Sequence, residues 1–345
     1  MLQLHKNSGS ARTALENIHY FKTKGYEVHV AAMTMDKESI HSEGAIPHKM
    51  LPWLKGTGMW RRRWYNWQVQ NLRKKLNPTI TVGHGDIMDQ DVVTLHNSVF
   101  LASELIHGKP LAPDHEMALT HGPLLKEQRF KKLIANSHLM KDDCINRFQI
   151  PAEKIHVVYP ALDTKTFFPA PMEKLTPKVN VALVTSGNFK KRGLDLFSQA
   201  IDHLPLEIIE QASFRVIGKD RPGEGLSPLL NFDPARDDIQ NYYRSIDVFV
   251  LPARIEEFGR VVLEAMGCGL PVITTDKVGA GELLEEESRK FVIPANNVKA
   301  LTDAIAKIVS DPELRGRLGK LNAETALKNS EDMVYRKFDE VFSCN

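Results

Sequence analysis

The sequence predicts an α/β fold built as two parallel-sheet units that face each other across a cleft. Three observations carry this expectation. At 345 residues the chain is long for one hydrophobic core, and two units are the ordinary division at that size. Short apolar, β-branched runs alternate with amphipathic stretches along its length, the pattern of helices layered on a mostly parallel sheet. The segment ALDTKTFFPAPMEKLTPKV, residues 161–179, holds three prolines and little periodicity, as a linker does.

Taken in order, strands are expected at a short LQLH near the start, then at 26–32, 78–83, 91–96, 132–137 and 154–160. A second series follows at 179–187, 213–218, 247–252, 271–275 and 290–294, and the two series read as two separate sheets. The expected domains are 1–169 and 170–329. A last helix in 330–345, capped near Ser330, is expected to pack back on the first domain. Open parallel sheets bind ligands outside the carboxyl ends of their strands, so a substrate is expected in the cleft.

Composition narrows the class. Hydrophobic content of 42% with 26% charged residues is that of an ordinary globular protein and excludes disordered or collagen-like chains. A net charge of +2 gives no overall attraction to polyanions, so affinity for a phosphate or an anionic membrane must come from a local patch. Cys144, Cys268 and Cys344 are widely spaced and form no CxxC, which argues against a disulfide framework or zinc site and fits a reducing, cytoplasmic setting. No apolar run approaches the roughly 18 to 20 residues of a membrane span, and the polar start MLQLHKNSGS has no signal-peptide core.

The chemistry concentrates in RIEEFGRVVLEAMGCGLPVITT, residues 254–275. Gly259 and Arg260 should open a helix that runs through VVLEAM and stops at GCG, where glycine supplies the left-handed C-terminal conformation. Were all the steps from Glu256 to Glu264 helical, the two carboxylates would stand about 12 Å apart along the axis, rotated by about 80°. That weakens, unless the turn folds back sharply, the reading of a closely opposed pair, about 5 to 5.5 Å apart, as in a retaining glycoside hydrolase. It suits two parts of one long ligand: N–H groups around Phe258, Gly259 and Arg260 on a diphosphate or sugar hydroxyl, Glu264 on a ribose, Glu256 toward a sugar. The competing reading is that Glu256 and Glu257 favour a helix start and Glu264 is a solvated helix residue.

A second cluster, TSGNFKKRGLDLF, puts Lys190, Lys191 and Arg192 on a loop at the carboxyl end of strand 179–187, ahead of a helix beginning near Leu194. Cations there can neutralise a diphosphate without a metal; the alternative is a solvated basic loop. Gly187 and Asn188 on the same loop, and Gly218 at the end of the next strand, are placed beside the donor.

Taken together, E-x-F-G, the second glutamate and the following P-V-I (Glu256, Phe258, Gly259, Glu264, Ala265, Gly269, Pro271, Val272, Ile273) resemble the E-x7-E signature of retaining nucleotide-sugar glycosyltransferases of the GT-B fold, family 4. The likeness extends in order through KTKGYEVHV (22–30), TLHN (94–97), IANSHLMKDD (134–143), VVYPALDTKTF (157–167) and SIDVFVLPA (245–253). Near the start, NSGSAR (7–12), with Gly9 and Ser10, looks like the glycine-rich loop that follows the family's first strand, where the resemblance implies a close approach of backbone to ligand. The stretch around GHGDIMDQDVVTLHNSVFLASELIHGK looks most like the lipopolysaccharide core branch of that family. This resemblance implies two Rossmann-like domains and transfer of a hexose, with retention, from a nucleotide diphosphate sugar, UDP in the first instance, to a core oligosaccharide on lipid A. It implies a bacterial protein peripheral on the cytoplasmic face of the inner membrane, with no cofactor beyond the donor substrate and no metal. Lys191, Arg192, Glu256 and His96 become the expected catalytic residues. His96 would touch a sugar hydroxyl, or else hydrogen-bond within its own domain. One departure stands out: the family holds its phosphates with a Gly-Arg and a later Lys, and Asn188 occupies the arginine position here. The D-x-D at Asp89 and Asp91, which glycosyltransferases of another fold use for Mn²⁺, is read as part of a loop before strand 91–96.

All four tryptophans, Trp53, Trp60, Trp64 and Trp67, fall close together, and residues 44–85 contain eight Lys or Arg and no acid. A helix over 60–76 would line up Trp60, Trp64 and Trp67, with Arg61, Arg62 and Arg63 among them. Rings with basic neighbours suit an anionic membrane interface and a lipid-linked acceptor. Two other readings are core packing of the helix and nucleic-acid stacking, and the second lacks any recognised module. Three further functions stay open beside the core transferase: a soluble GT-B enzyme of the sucrose or glycogen-synthase type, a GT-B sugar-nucleotide epimerase, and a non-catalytic carbohydrate-binding relative.

Overall fold

The structure, a computed structural model, describes residues 3–4, 9–52, 58–185, 187–219 and 223–342; the side chains at 3, 4, 39, 58 and 59 lie outside that description. Trp53, residues 7–8 of the NSGSAR turn and Cys344 therefore fall outside the described residues. The chain divides into two compact units, 1–160 with 335–345, and 161–334. The division comes earlier than the expected 169/170 because Leu162, buried, donates its N–H to Asn329 O at 2.8 Å and bridges Ser330 inside the second unit.

Strands of the first unit are β1 (Gln3–Leu4), β2 (His29–Ala32), β3 (Thr34–Met35), β4 (Ile46–Lys49), β5 (Val82–Gly83), β6 (Val92–Thr94), β7 (Lys132–Ala135) and β8 (Ile155–Val157). Every pairing among them is parallel, but the series is not the single sheet that the sequence predicts. Among the described residues it forms three ladders, β1-β3, β2-β4 and β5-β6-β7-β8. The core of the four-stranded ladder is Val93, Leu133, Met140, Phe148 and Ile155. Residues 335–342 of the last helix (Glu331–Phe342) lie in this unit, where the Tyr20 ring meets those of Tyr335, Phe338 and Phe342 and its hydroxyl donates to Asp339 at 2.8 Å.

In the second unit β9 (Val179–Val184), β10 (Ala212–Gly218), β11 (Leu230–Pro234), β12 (Val248–Leu251), β13 (Val272–Thr275) and β14 (Val292–Ile293) form one all-parallel sheet, ordered β11-β10-β9-β12-β13-β14. Every residue of β12 and β13 is buried, as near-continuous apolar runs must be when helices cover both faces. Phe197, Ile201, Phe214, Val250, Ile273 and Ile305 belong to its core. Its helices start on built caps: Asn297 accepts from Ala300 N, and Asp311 accepts from Leu314 N ahead of Pro312. No helix among the described residues is long and apolar enough to cross a membrane.

Candidate active site

In the second unit the sheet brings the carboxyl ends of β9 and β12 side by side, and with them the two charge clusters. Lys190, Lys191 and Arg192 lie not on an open loop but on a four-residue helical turn, Phe189–Arg192. Asn188, in the left-handed conformation, caps the turn by accepting from Lys191 N at 3.3 Å. The Asn188 side chain thus has a local structural task. Gly187 N donates to Thr185 Oγ1 at 3.1 Å, and that hydroxyl donates back to Gly187 O at 2.8 Å. Gly193 then joins the turn to helix Leu194–Asp202 at φ 72, with its Cα so near Pro252 that a Cβ would stand 2.0 Å from the carbonyl oxygen. Only glycine meets both demands.

Acids from the loop after β12 meet these cations. Lys191 Nζ donates to Glu257 Oε2 at 2.7 Å and lies 3.7 Å from Glu256 Oε2, while Arg192 Nη1 donates to Glu256. Arg254 ties the two segments together. Its N–H donates to Lys191 O at 2.9 Å, its guanidinium reaches Lys190 O at 2.7 Å, and it binds both carboxylate oxygens of Asp195. Burial pushes the Arg192 guanidinium below its ordinary pKa, opposed by the Glu257 charge. Its Nε–H is buried with no hydrogen-bond partner. Lys190, by contrast, presents its side chain to solvent.

Helix Arg260–Gly267 starts at Gly259, left-handed at φ 94, and ends before Gly269 at φ 80. The loop ahead of it is pinned: Glu256 N donates to Lys277 O, Gly279 N to Glu256 O, and Ala280 N to Phe258 O. Phe258 is buried and Arg260 reaches Ala161 O at 3.5 Å. Glu264 is a buried helix residue, 8% exposed, rather than a solvated one, and accepts from the Tyr243 hydroxyl at 3.2 Å. Gly218 closes β10 beside Thr185 and the Phe189 ring.

The remaining positions lie in the first unit. Gly9 and Ser10 begin helix Gly9–Thr23, where Thr13 Oγ1 donates to Gly9 O. His96 Nε2 is 2.9 Å from His84 Nδ1, with the rings stacked at 4°, and it lines a small pocket with Asn136 and Tyr159. Asp89 pairs with Arg129, and Asp91 with Arg73, Lys131 and Thr81 N, so structural cations already engage the D-x-D pair. On helix Gly58–Leu76, Trp60 and Trp67 are exposed and the Trp64 and Trp67 rings stack at 4.9 Å. Arg63 covers Trp60 at 5.3 Å. Arg61 is exposed on the helix and reaches Glu116 at 3.2 Å. Arg62 does not join this face: it turns inward to Asp86 at 2.6 Å and Glu116 at 2.7 Å.

Residues 7–166 match the family described as Glycosyltransferase Family 4, and residues 172–325 match Glycosyl transferases group 1. The chain belongs to glycosyltransferase family 4. This family-4 chain is 31% identical over 201 residues to the lipopolysaccharide core biosynthesis mannosyltransferase LpsB of Rhizobium meliloti, covering 52% of this chain and 56% of that one. Its alignments span about a quarter to two thirds of the length of the curated relatives it matches. In fold it is similar to WaaG, a glycosyltransferase involved in lipopolysaccharide biosynthesis, at TM-score 0.80 and 18% identity over 100% of this chain and 99% of WaaG. It is also similar to HepE of Anabaena in complex with UDP and glucose, at TM-score 0.69 and 18% identity over 100% and 99%. The fold is GT-B, with two Rossmann-like domains, as its resemblance implied.

Sequence reasoning gave no site role to three residues that the structure brings to this candidate site: Glu257, Arg254 and Tyr243. The repeated acid in R-I-E-E-F-G was a legible signal for Glu257, because the basic cluster needs as many nearby carboxylates as it has buried cations. Arg254 and Tyr243 gave none, since their partners are far off in sequence.

Proposed function

We propose that the protein transfers a hexose from UDP-hexose to the core oligosaccharide of a lipid A-linked glycan, with retention at the anomeric carbon and without a metal. The second unit takes the donor. The observation that carries this reading is Arg192, a cation whose buried Nε–H has no partner, set in a turn at the carboxyl end of β9. Buried donors without partners are rare, and a phosphate oxygen satisfies this one with a charge-assisted bond. UDP as carrier is supported by HepE's complex with UDP and glucose, and a core acceptor by LpsB's description.

Before the donor binds, Glu257 and Glu256 neutralise Lys191 and Arg192, which keeps buried cations paired and ordered. A diphosphate competes for both cations and releases Glu256 toward the sugar. Backbone N–H groups of residues 258–260 add donors at a helix start, and Glu264, oriented by Tyr243, accepts from the ribose hydroxyls. In the reaction the bond from the anomeric carbon to the diphosphate oxygen breaks, and the acceptor hydroxyl oxygen bonds to that carbon on the same face. Its proton passes to the departing phosphate oxygen. Lys191 and Arg192 hold the charge that develops there, the largest catalytic contribution asked of the protein. His96 meets a sugar hydroxyl in the first unit. The exposed Trp60, Trp67, Arg61 and Arg63 rest on anionic lipid at the cytoplasmic face of the inner membrane.

A panel of UDP-, GDP- and ADP-hexoses tested for thermal stabilisation examines this directly. A UDP-hexose at about a hundred times its Kd should add about 2.7 kcal/mol to the second unit. Stabilisation by none of the panel would overturn the donor reading.

A further inference from the structure

The basic turn and the acid loop of the second unit are joined in two different ways. One is ionic: Lys191 bonds to Glu257 at 2.7 Å, and Arg192 to Glu256. On the donor reading proposed above, a bound diphosphate competes for both cations, so these pairs are given up as the reaction begins. The other way leaves the side chains of Lys191 and Arg192 aside and runs through Arg254 and Gly193.

The last carbonyls of a helical turn have no amide of their own turn to accept from. Arg254 supplies what is missing: its Nη1 donates to Lys190 O at 2.7 Å, and its backbone N–H donates to Lys191 O at 2.9 Å. The same guanidinium grips both oxygens of Asp195, at 2.8 and 2.7 Å, in the first turn of helix Leu194–Asp202. Burial alone raises the Asp195 carboxyl, but the bond and charge of Arg254 outweigh it and hold it below the ordinary carboxylate range. One side chain, 13% exposed, thus spans the end of the basic turn and the start of the next helix. Between them Gly193 lies against the Pro252 carbonyl with no room for a side chain. The loop that carries Arg254 is itself fixed to the end of β13, where Ala253 O accepts from Thr275 Oγ1 at 2.7 Å and Glu256 N donates to Lys277 O at 2.8 Å.

We infer that Arg254 and Asp195 form a clamp that keeps Lys191 and Arg192 in place while the diphosphate occupies them, which makes Arg254 a positioning residue for the leaving group. The inference rests on the donor reading and adds a kinetic consequence to it. Because the clamp persists when the ion pairs open, its loss falls on the transition state. Long, flexible cations can still reach a ground-state diphosphate from a displaced turn, but charge developing on one oxygen tolerates little displacement.

The test compares the full chain with Arg254→Lys and Asp195→Asn, using the UDP-hexose that stabilises the parent most. Calorimetry gives the Kd for UDP, and UDP release at saturating donor, with water as acceptor, gives kcat. Lysine at 254 keeps the charge but cannot span Lys190 O and both Asp195 oxygens. Arg254→Lys should lower kcat by about thirtyfold and move Kd by less than about threefold; Asp195→Asn should lower kcat by about tenfold with as small a change in Kd. Combined, the two should lower kcat no further than Arg254→Lys alone, within about twofold, because they break one contact. Full turnover in Arg254→Lys, a Kd that rises by the factor by which kcat falls, or additive losses each overturn the clamp. Should Arg254→Lys not fold, Asp195→Asn decides alone, since its carboxylate is 43% exposed; full turnover or weakened UDP binding there overturns the clamp. A parent that binds no UDP-hexose overturns the donor reading and the clamp with it, whereas a parent that binds and turns over beside variants that do the same overturns the clamp alone.

Discussion

In the second unit β12 and β13 bury every residue and have a strand on each side, whereas in the first unit β2 leaves three of its four residues only half-buried and, among the described residues, β5 has a neighbour on one side. Both regions use the same β-branched alphabet and the same parallel pairing. What separates them is closure. A parallel strand hydrogen-bonds along both edges and is covered on both faces only when its neighbours are all present, so one gap exposes apolar side chains on each strand beside it. The closed sheet sets its strand ends rigidly enough to hold four charged side chains in one network. The first unit carries the buried His84 and His121 and most of the buried polar atoms without partners, although Arg192 Nε and Ser288 Oγ of the second unit are among them.

The largest effect should come from removing the cations of the closed sheet. Lys191→Ala with Arg192→Ala should lower turnover by about a thousandfold, about 4 kcal/mol of transition-state stabilisation. The double variant should also lose stability, because Glu257 is 4% exposed and is left as a buried carboxylate without its cation. Steady-state rates with saturating UDP-hexose, alongside circular dichroism, check this; full turnover in the double variant would remove the phosphate assignment.

Acid should next separate the units. His121, on helix Ala118–Glu127 of the first unit, is 5% exposed, and burial pushes its pKa down to about 4, with the Arg62 charge adding to the fall and Asp86 opposing it. Burial likewise holds His84 well below the ordinary range, and the neighbouring His96 acts in the same direction. A depressed histidine binds its proton in the unfolded chain first. The stability it contributes is therefore complete above about pH 6.5 and is lost as pH falls toward 4, by up to about 3 kcal/mol for His121. Urea melts of the first unit across that window should show the slope, and His121→Gln should flatten it.

How much of this was legible follows the same division. The strands of the closed sheet stand out as apolar β-branched runs, and the four central ones were placed within a few residues. The missed strands, β3, β4 and β11, are very short or peripheral: Ile46–Lys49 reads IPHK and Leu230–Pro234 reads LNFDP, with prolines tolerated because each is an edge. The order of the glutamate and lysine clusters was plain, but their pairing was not, because a contact between residues 191 and 257 depends on how β9 and β12 sit side by side. Arg62 could have been assigned inward. Tyr65 and Val69, three and seven positions on, are buried, and helical spacing puts all three on one face. The cavity beside β2 left no mark in the sequence, since Val28, Val30 and Val82 read as ordinary strand valines whether they line a cavity or a packed core.

Matched truncations measure closure directly. Val250→Ala in β12 removes methyls from a fully buried site and should cost about 2 kcal/mol or more, the transfer loss plus a new cavity. Val82→Ala in β5, whose side is already open, should cost under about 1 kcal/mol. Equal costs would mean that the space beside β5 closes in solution.

The smallest effect on stability belongs to the two exposed tryptophans. Trp60 and Trp67 are 50% and 55% exposed, and replacing both by alanine should leave the unfolding free energy within about 0.5 kcal/mol. Half-exposed indoles that contribute nothing to the fold are free to contribute to a surface, and here they sit with Arg61 and Arg63 on a helix whose Arg62 is turned away. On vesicles containing anionic lipid, flotation of the double variant should therefore fall by about tenfold, while neutral vesicles should bind both forms weakly. Raising the salt should weaken what remains, because the residual attraction is between exposed charges and falls within a Debye length. A double variant that floats like its parent would place the membrane contact elsewhere; one that unfolds would show that these rings belong to the open sheet's support after all.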